Sequence, residues 1–526
     1  MHAMKKLPIG ISTLQKIRDD HCIYVDKTPH VQQLVESGTY YFLSRPRRFG
    51  KSLLVDTLHQ LFAGNEALFR DLHIHPHWDW SVSYPVININ LASGDFSSRA
   101  GLERHLQHIL RVNQEQLGIQ CLDQDDMTSC FSDLIRHAKA KYGRNVVVLV
   151  DEYDKPILDS IEKSASALAT EMRDTLRSFY SVIKGQDANI RFVLLTGVSK
   201  FSKVSLFSGL NNLNDITIDE RYSALCGYTQ TELEHSFAER LQGVDLTLMK
   251  RWYNGYGWLG ERVYNPFDVL LFLDKGKKYL PHWFETGTPT FLVNVLKRRR
   301  FHLPDLEAVR MDYKKLGDFD VDRINIETLL FQTGYLTIKQ ELDNGAGRAP
   351  DYLLTYPNHE VRYSLMSYFL DHYLTDTSHT LGTVSETLYQ HDLPAFEQHI
   401  RSLFANIAYE NYNNNPIAQY EGYYAAVIYA FLCALGMETR VEVSNNRGRI
   451  DMAIRFPLRD GQKQVYVIEF KMVKGTVGDG SAMQQIKDKD YAAPYRDGQH
   501  QITLLGMEFS AEARNLVGFE WELEQA

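Results

Sequence analysis

Cysteine is scarce in this chain. Five cysteines in 526 residues, at Cys22, Cys121, Cys130, Cys226 and Cys433, are odd in number and include no C-x-x-C. That spacing argues against a cysteine-based zinc site and against a disulfide framework, and it points to reduced thiols in a cytoplasmic protein. Long apolar runs are missing too. None reaches the roughly 18 residues that a membrane span needs, so no membrane partner is expected. The start, MHAMKKLPIG, has no apolar stretch of the kind a secretory signal carries. An excess of positive charge is also lacking. The formal net charge is -9 and the pI about 6.1, so a nucleic-acid partner must meet a local basic patch rather than a basic protein. No long repeat and no low-complexity tract is found.

What is there is ordinary for a folded protein, with 44% hydrophobic and 23% charged residues. At roughly 150 residues per domain the length allows about three. Up to about residue 215, strand-like and helix-like segments alternate. Tyr40-Tyr-Phe-Leu43 is a short apolar strand, and Leu54, Leu58, Leu61 and Phe62 fall on one helix face that Gly64 can end. Val86–Leu91 alternates like a strand. Asn145–Val150 is a β-branched run suited to a strand buried on both faces, and Arg191–Thr196 is another. Strands spaced by helices predict an α/β fold with a parallel sheet. From 216 to 385 amphipathic helical stretches dominate, with room for a winged-helix element and with turn signals at Trp252–Tyr256, Tyr264–Pro266 and Thr286–Pro289. The run Lys297-Arg-Arg-Arg300 reads as a solvated helix end or as a contact to a phosphate backbone. From 386 to 526 the pattern is helix, hairpin, helix. Tyr424, Val427, Ile428, Phe431, Leu432 and Leu435 form one stripe, and Ile450–Phe456 and Val465–Phe470 read as strands joined through Asp460-Gly461.

Two constellations carry chemistry. The first is SRPRRFGKSLL, from Ser44 to Leu54, which ends like a phosphate-binding loop but has Arg45 where the first glycine belongs. Such a loop offers backbone N–H groups at a helix N-terminus. Gly50 lets the backbone approach an anion, Lys51 would reach the β- and γ-phosphates, and Ser52 would ligate Mg²⁺. About 100 residues on, a buried strand ends in Asp151-Glu152, where Asp151 would hold Mg²⁺ and Glu152 would polarise the attacking water. Arg45 and Arg48 join the expected cofactor-binding set; the alternative for Arg45, Arg47 and Arg48 is ion pairing that shapes the turn. Thr196 or Ser199 is a further candidate sensor of the γ-phosphate.

These stretches, together with YVDKT at Tyr24–Thr28, LVDEYDKP at Leu149–Pro156 and LLTGVSKFS from Leu194, resemble the AAA-ATPase-like family of bacterial proteins. In that family the loop is typically written RPRRFGKS. The resemblance covers most of residues 7–210 and implies a P-loop ATPase core of the additional-strand type.

The second constellation lies near the C-terminus. Arg449-Ile-Asp451 begins one strand and Val467-Ile-Glu-Phe-Lys471 ends the next, so Glu469 and Lys471 point to one face with Asp451 beside them. Two hard oxygen ligands suit Mg²⁺ or Mn²⁺. Lys471 would orient water or stabilise charge, and Glu421, heading the preceding helix, is a third carboxylate. The segments EGYYAAVIYAFLCALG, GRIDMAI, VYVIEFK and QQIKDKDYAAPY resemble the PD-(D/E)XK nuclease superfamily over about residues 390–515. That resemblance implies Glu421, Asp451, Glu469 and Lys471 as the core with Gln485 as accessory, Ile450 standing where a proline is usual. The triplet His73-Ile-His-Pro-His77 reads as a surface loop before a metal site.

The expectation is therefore three parts: residues 1–215, a P-loop ATPase; 216–385, a helical or winged-helix-like middle; and 386–526, an α/β restriction-endonuclease-like domain. ATP and Mg²⁺ are the expected cofactors, with Mn²⁺ as an option at the nuclease site. Nucleic acid, DNA before RNA, is the expected partner, and self-association into a homo-oligomer is left open. The competing reading is a nucleotide-switched nucleic-acid-binding or signalling module with an inactive nuclease-like domain.

Overall fold

The computed structural model describes residues 4–162, 166–200, 210, 212–287, 303–317, 325–373, 384–405, 421–444, 449–457, 463–496, 498 and 500–524. Lys297–Arg300, the Asn413–Pro416 cluster and the Asp460-Gly461 turn lie outside them. The chain divides into two compact units, Met1–Val295 with Ala308–Asn358, and Leu296–Glu307 with His359–Ala526.

The first unit is built on a five-stranded sheet. Its strands are β1 (Tyr40–Ser44), β2 (Val86–Asn90), β3 (Val146–Asp151), β4 (Ile190–Gly197) and β5 (Asn214–Asp215), in the order β2-β3-β4-β1-β5. Every pairing is parallel. β3 is buried along its whole length, as its unbroken apolar run demands. β4 lies between β1 and β3, so the strand that feeds the phosphate-type loop and the strand that ends in Asp151 are separated by one extra strand. The helix Lys51–Phe62 packs Leu54, Val55, Leu58, Leu61 and Phe62 inward. At about 2 kcal/mol each, these five side chains supply on the order of 10 kcal/mol before the cost of ordering the chain.

The middle stretch is largely helical and includes a small hairpin, β6 (Asn254–Tyr256) with β7 (Val263–Tyr264). It also holds an antiparallel sheet of β8 (Val309–Asp312), β9 (Thr337–Leu342) and β10 (Asp351–Thr355), in the order β8-β10-β9. Helices Tyr313–Leu316 and Ile326–Thr333 fall between β8 and β9.

The second unit carries a mixed sheet of β11 (Glu438–Ser444), β12 (Arg449–Pro457), β13 (Lys463–Val473), β14 (His500–Ser510) and β15 (Asn515–Leu523) in sequential order. Only β13 and β14 run parallel, joined by a crossover that contains the helix Ser481–Asp488. The helix Glu421–Ala434 buries more than the expected stripe: Tyr429, Ala430 and Cys433 are as enclosed as Tyr424 and Val427. It is covered by the sheet and by the helix His359–Tyr373, which is why apolar residues surround it.

One thiol expectation fails. Cys121 and Cys130 are joined as a disulfide with Cα atoms 5.1 Å apart. The loop before the helix Met127–Tyr142 folds back on it, and the Gln114 side chain fixes that path by accepting from Cys121 N at 2.8 Å. Cys22, Cys226 and Cys433 are free and buried. Among the described residues no helix is long and apolar enough to cross a membrane.

Gly255 has φ +126°, and a methyl there would stand 1.8 Å from Pro357 O. Gly255→Ala is expected to destabilise the first unit by about 2–4 kcal/mol, seen as a fall of several degrees in its melting temperature.

Candidate functional sites

The loop after β1 leaves the carboxyl edge of a parallel sheet, where open α/β sheets bind ligands. Two of its residues adopt left-handed backbone, Arg48 at φ 69° and Gly50 at φ 91°. Gly50 does so without strain, and its N-cap position opens the helix Lys51–Phe62 toward the loop. Lys51 is buried, and its Nζ donates to Arg45 O at 3.1 Å and Pro46 O at 3.2 Å. Glu152 Oε1 is 3.7 Å from the same ammonium.

Arg45 goes elsewhere. Its side chain is fully buried, with Nη1 donating to Ser44 O and Thr217 O at 2.8 Å each and Nη2 to Tyr222 O at 3.0 Å. The guanidinium stacks 3.9 Å from the centre of the Trp258 ring. Burial lowers its pKa to about 10, so it stays charged at neutral pH. The expectation that Arg45 contacts a nucleotide is therefore corrected: it ties the loop to the segments around Thr217, Tyr222 and Trp258, doing by long-range hydrogen bonds what a first glycine does by local freedom. The same aromatic group seats Phe49, whose ring lies 4.7 Å from Tyr256 and 5.7 Å from Trp258, both edge-on. Trp283 Nε1 donates to Arg47 O at 3.1 Å. The turn signal at Trp252–Tyr256 thus leads into a brace for the loop. Arg48 lies over the Phe267 ring at 4.8 Å.

A cavity of about 510 Å³ opens on this loop, lined by Arg47, Arg48, Gly50, Lys51, Ser52 and Glu152 together with Lys155, Asp159, Phe267 and Leu270. Thr196, Ser199 and Asp151 are not among its lining residues. Asp151 is almost wholly buried; its Oδ1 accepts from the Thr196 hydroxyl at 2.7 Å and from Glu152 N at 3.1 Å. Burial and the charge of Glu152 raise its pKa, while Ser52, Thr196 and Lys51 oppose the rise. Its Oδ2 is buried without a partner at hydrogen-bond geometry. Glu152 itself has φ 54°, a strained conformation for a residue with a side chain.

Asp154, two residues on, was not singled out in the sequence. It is fully buried, and its Oδ2 accepts from Val198 N at 3.1 Å and from the Ser199 N and Oγ, each at 2.6 Å. Burial and Glu152 push its pKa up to about 6. It latches the end of β3 to the end of β4, which explains what Ser199 does.

In the second unit, β12 and β13 pair antiparallel in a register that sets Met452 opposite Ile468, and so Asp451 one step on from it toward Glu469. Asp451 Oδ2 accepts from Phe470 N at 2.9 Å. Glu469 is buried, Lys471 Nζ lies 3.4 Å from its Oε1, and Gln485 Nε2 donates to the same oxygen. Gln485 is itself held by Tyr491 OH at 3.3 Å. The other oxygen of Glu469, Oε2, is buried and has no hydrogen-bond partner. Burial, then the neighbouring Asp451, pushes the Glu469 carboxyl up to about 8, with Lys471 opposing. Glu421 opens its helix as expected, and its side chain lies outside the described residues.

The histidine triplet supplies no such grouping. His73 pairs with Gln32 at 3.0 Å and His75 with Glu66 at 3.1 Å. Among the described residues no three His, Cys, Asp or Glu side chains are placed to hold a metal ion.

Comparison with known proteins gives a match around each site. Residues 8–207 match the family model described as "Predicted AAA-ATPase", and residues 419–519 match the PD-(D/E)XK nuclease superfamily. The chain belongs to the predicted AAA-ATPase family and ends in a PD-(D/E)XK-superfamily domain. It is similar to the "Uncharacterized protein in vnfD 5'region" of Azotobacter chroococcum mcd 1, at 51% identity over 98% of both chains. As a family member it shows the RPRRFGKS loop with its first arginine in a structural post. Arg45→Ala is expected to destabilise the first unit by about 2–4 kcal/mol, because three buried carbonyls lose their donor. Arg45→Lys should restore little of this, since an ammonium cannot span three carbonyls and stack on Trp258. Urea unfolding followed by tryptophan fluorescence reads both.

Proposed function

We propose that this chain hydrolyses ATP in its first unit and cuts nucleic acid, DNA in the first instance, in its second, each with a divalent cation. One shared observation carries the proposal. In each unit a strand carries a buried carboxylate beside a second acid and a lysine, and one oxygen of that carboxylate has no hydrogen bond. A carboxylate oxygen left without a donor in low dielectric is costly, which raises the pKa of both acids, and Asp151 Oδ2 and Glu469 Oε2 are the atoms a cation would satisfy in place of a proton.

In the first unit, Ser52 and Asp151 would hold Mg²⁺, which supplies charge neutralisation to the phosphates when bound. Lys51 gives up the Arg45 and Pro46 carbonyls to take a phosphate oxygen. Gly50 and the following backbone N–H groups cradle the anion, and Arg48 adds positive charge at the cavity wall. Glu152, 3.7 Å from Lys51, orients the attacking water once Lys51 has moved to the phosphate. In the second unit, Asp451 and Glu469 would hold Mg²⁺ or Mn²⁺, which stabilises charge on the scissile phosphate when bound, and Glu421 is the further candidate ligand. Gln485 fixes Glu469 through Oε1 and leaves Oε2 free to face the cation. Lys471 orients the attacking water and stabilises the developing charge. ATP binding would bias the nuclease through the intervening residues.

Lys51→Ala is expected to abolish ATP binding, measured by equilibrium titration with a fluorescent ATP analogue. Glu152→Gln should keep that binding and slow turnover on the order of 100-fold or more. Unchanged turnover in both would refute the ATP site. Incubation of plasmid or single-stranded DNA with Mg²⁺ should give strand breaks that Asp451→Asn and Lys471→Ala remove. Breaks that persist in both variants would remove the nuclease assignment. Binding of DNA without breaks in the unaltered chain would favour a binding module instead.

A further inference from the structure

The geometry points to Glu508 as a positioning residue of the second unit's acidic site, an inference that rests on the metal-site reading above. Glu508 lies on β14 in register with Lys471 of β13. It is buried, and its carboxylate gathers backbone and hydroxyl donors. Its Oε2 accepts from Asp479 N at 2.8 Å and Gly480 N at 3.1 Å, and its Oε1 from Ser481 Oγ and Ala482 N at 3.1 Å each. Both carboxylate oxygens are therefore spent on the first turn of the helix Ser481–Asp488 and the residues that lead into it. That helix delivers Gln485 to Glu469 Oε1.

The approach of the helix is as tightly set as its start. Gly506 stands opposite Glu469 in the β13–β14 register, and a methyl there would lie 2.7 Å from Met483 N. Two residues of one strand thus fix the helix. Glu508 anchors its N-terminal end by four hydrogen bonds, and Gly506 lets its backbone come against the sheet. The consequence is delivered one turn later, where Gln485 takes one oxygen of Glu469 and leaves the other turned away. A carboxylate at a helix N-terminus is favoured by the helix dipole, but a buried one costs desolvation. An apolar residue at 508 would fill this strand position without that cost. What the carboxylate adds is a fixed position for the helix start, and hence for Gln485.

The test measures Mn²⁺ affinity by calorimetry on the full chain, without nucleic acid. Glu508→Gln keeps one acceptor oxygen and loses the other, and it should weaken Mn²⁺ binding about 10-fold, the lower end of what outer partners of metal ligands contribute. Gln485→Ala should weaken it by a similar factor. The double variant should be no weaker than Gln485→Ala alone, because Glu508 acts through Gln485. Hydrogen exchange of the peptide covering 481–488 should quicken in Glu508→Gln more than that of the strands β13 and β14. Unchanged Mn²⁺ affinity in Glu508→Gln, with affinity lost in Asp451→Asn, would overturn the positioning role. So would strictly multiplicative losses in the double variant. Mn²⁺ affinity that Asp451→Asn leaves unchanged would show instead that the metal-site reading is wrong, and the role of Glu508 would fall with it.

Discussion

Burying a carboxylate without a full set of donors is costly, and both units of this protein are arranged around that cost. Asp151 at the end of β3 and Glu469 within β13 each sit in a nearly dry position next to a second acid. Each has one oxygen satisfied and one without a partner. The neighbouring lysines offset part of the cost, Lys51 in one unit and Lys471 in the other. In the absence of another cation the proton relieves it in part, which is why burial raises both pKa values.

Holding such groups still requires support from residues that do no chemistry. In the first unit Arg45 performs this for the loop by joining Ser44, Thr217 and Tyr222 through their carbonyls. Asp154 performs it for the acidic strand end by binding the Val198 and Ser199 amides. In the second unit Gln485 and Tyr491 steady Glu469, and Glu508 fixes the start of the helix that carries Gln485. Arg45, Asp154 and Glu508 are each buried and paired mainly with backbone groups. Backbone partners are fixed by secondary structure, so they hold a side chain more rigidly than another flexible side chain would.

The fold was largely legible because its signals are local. The β-branched run ending at Asp151 predicted a strand buried on both faces, and it is one. The helix after Gly50 and its inward face followed from apolar spacing. The Asp451 and Glu469–Lys471 pairing followed from strand alternation and a short hairpin, and the observed register brings the three together. Legibility failed where contact depends on distant chain. Arg45 was placed with the cofactor because it lies in the loop, yet its partners are Thr217 and Tyr222, more than 170 positions away. Cys121 and Cys130 lay nine residues apart with no motif to join them, and only the fold-back of their loop did so. The helix Glu421–Ala434 read as a stripe because its second covering surface, the helix His359–Tyr373, cannot be seen from its own sequence.

The sequence by itself determined which residue types stand at the strand ends and loop: Gly50, Lys51 and Ser52, then Asp151 and Glu152, and later Asp451, Glu469 and Lys471. Their spacing along strands and at a helix start is a matter of backbone geometry, and that geometry is encoded within a few residues. Tertiary structure alone decided which oxygen of each buried acid stays unpartnered, that Arg45 faces inward to Trp258, and that Glu508 holds the start of a helix. Those outcomes depend on hydrogen-bond partners and dielectric surroundings assembled from remote segments, and no local pattern records them.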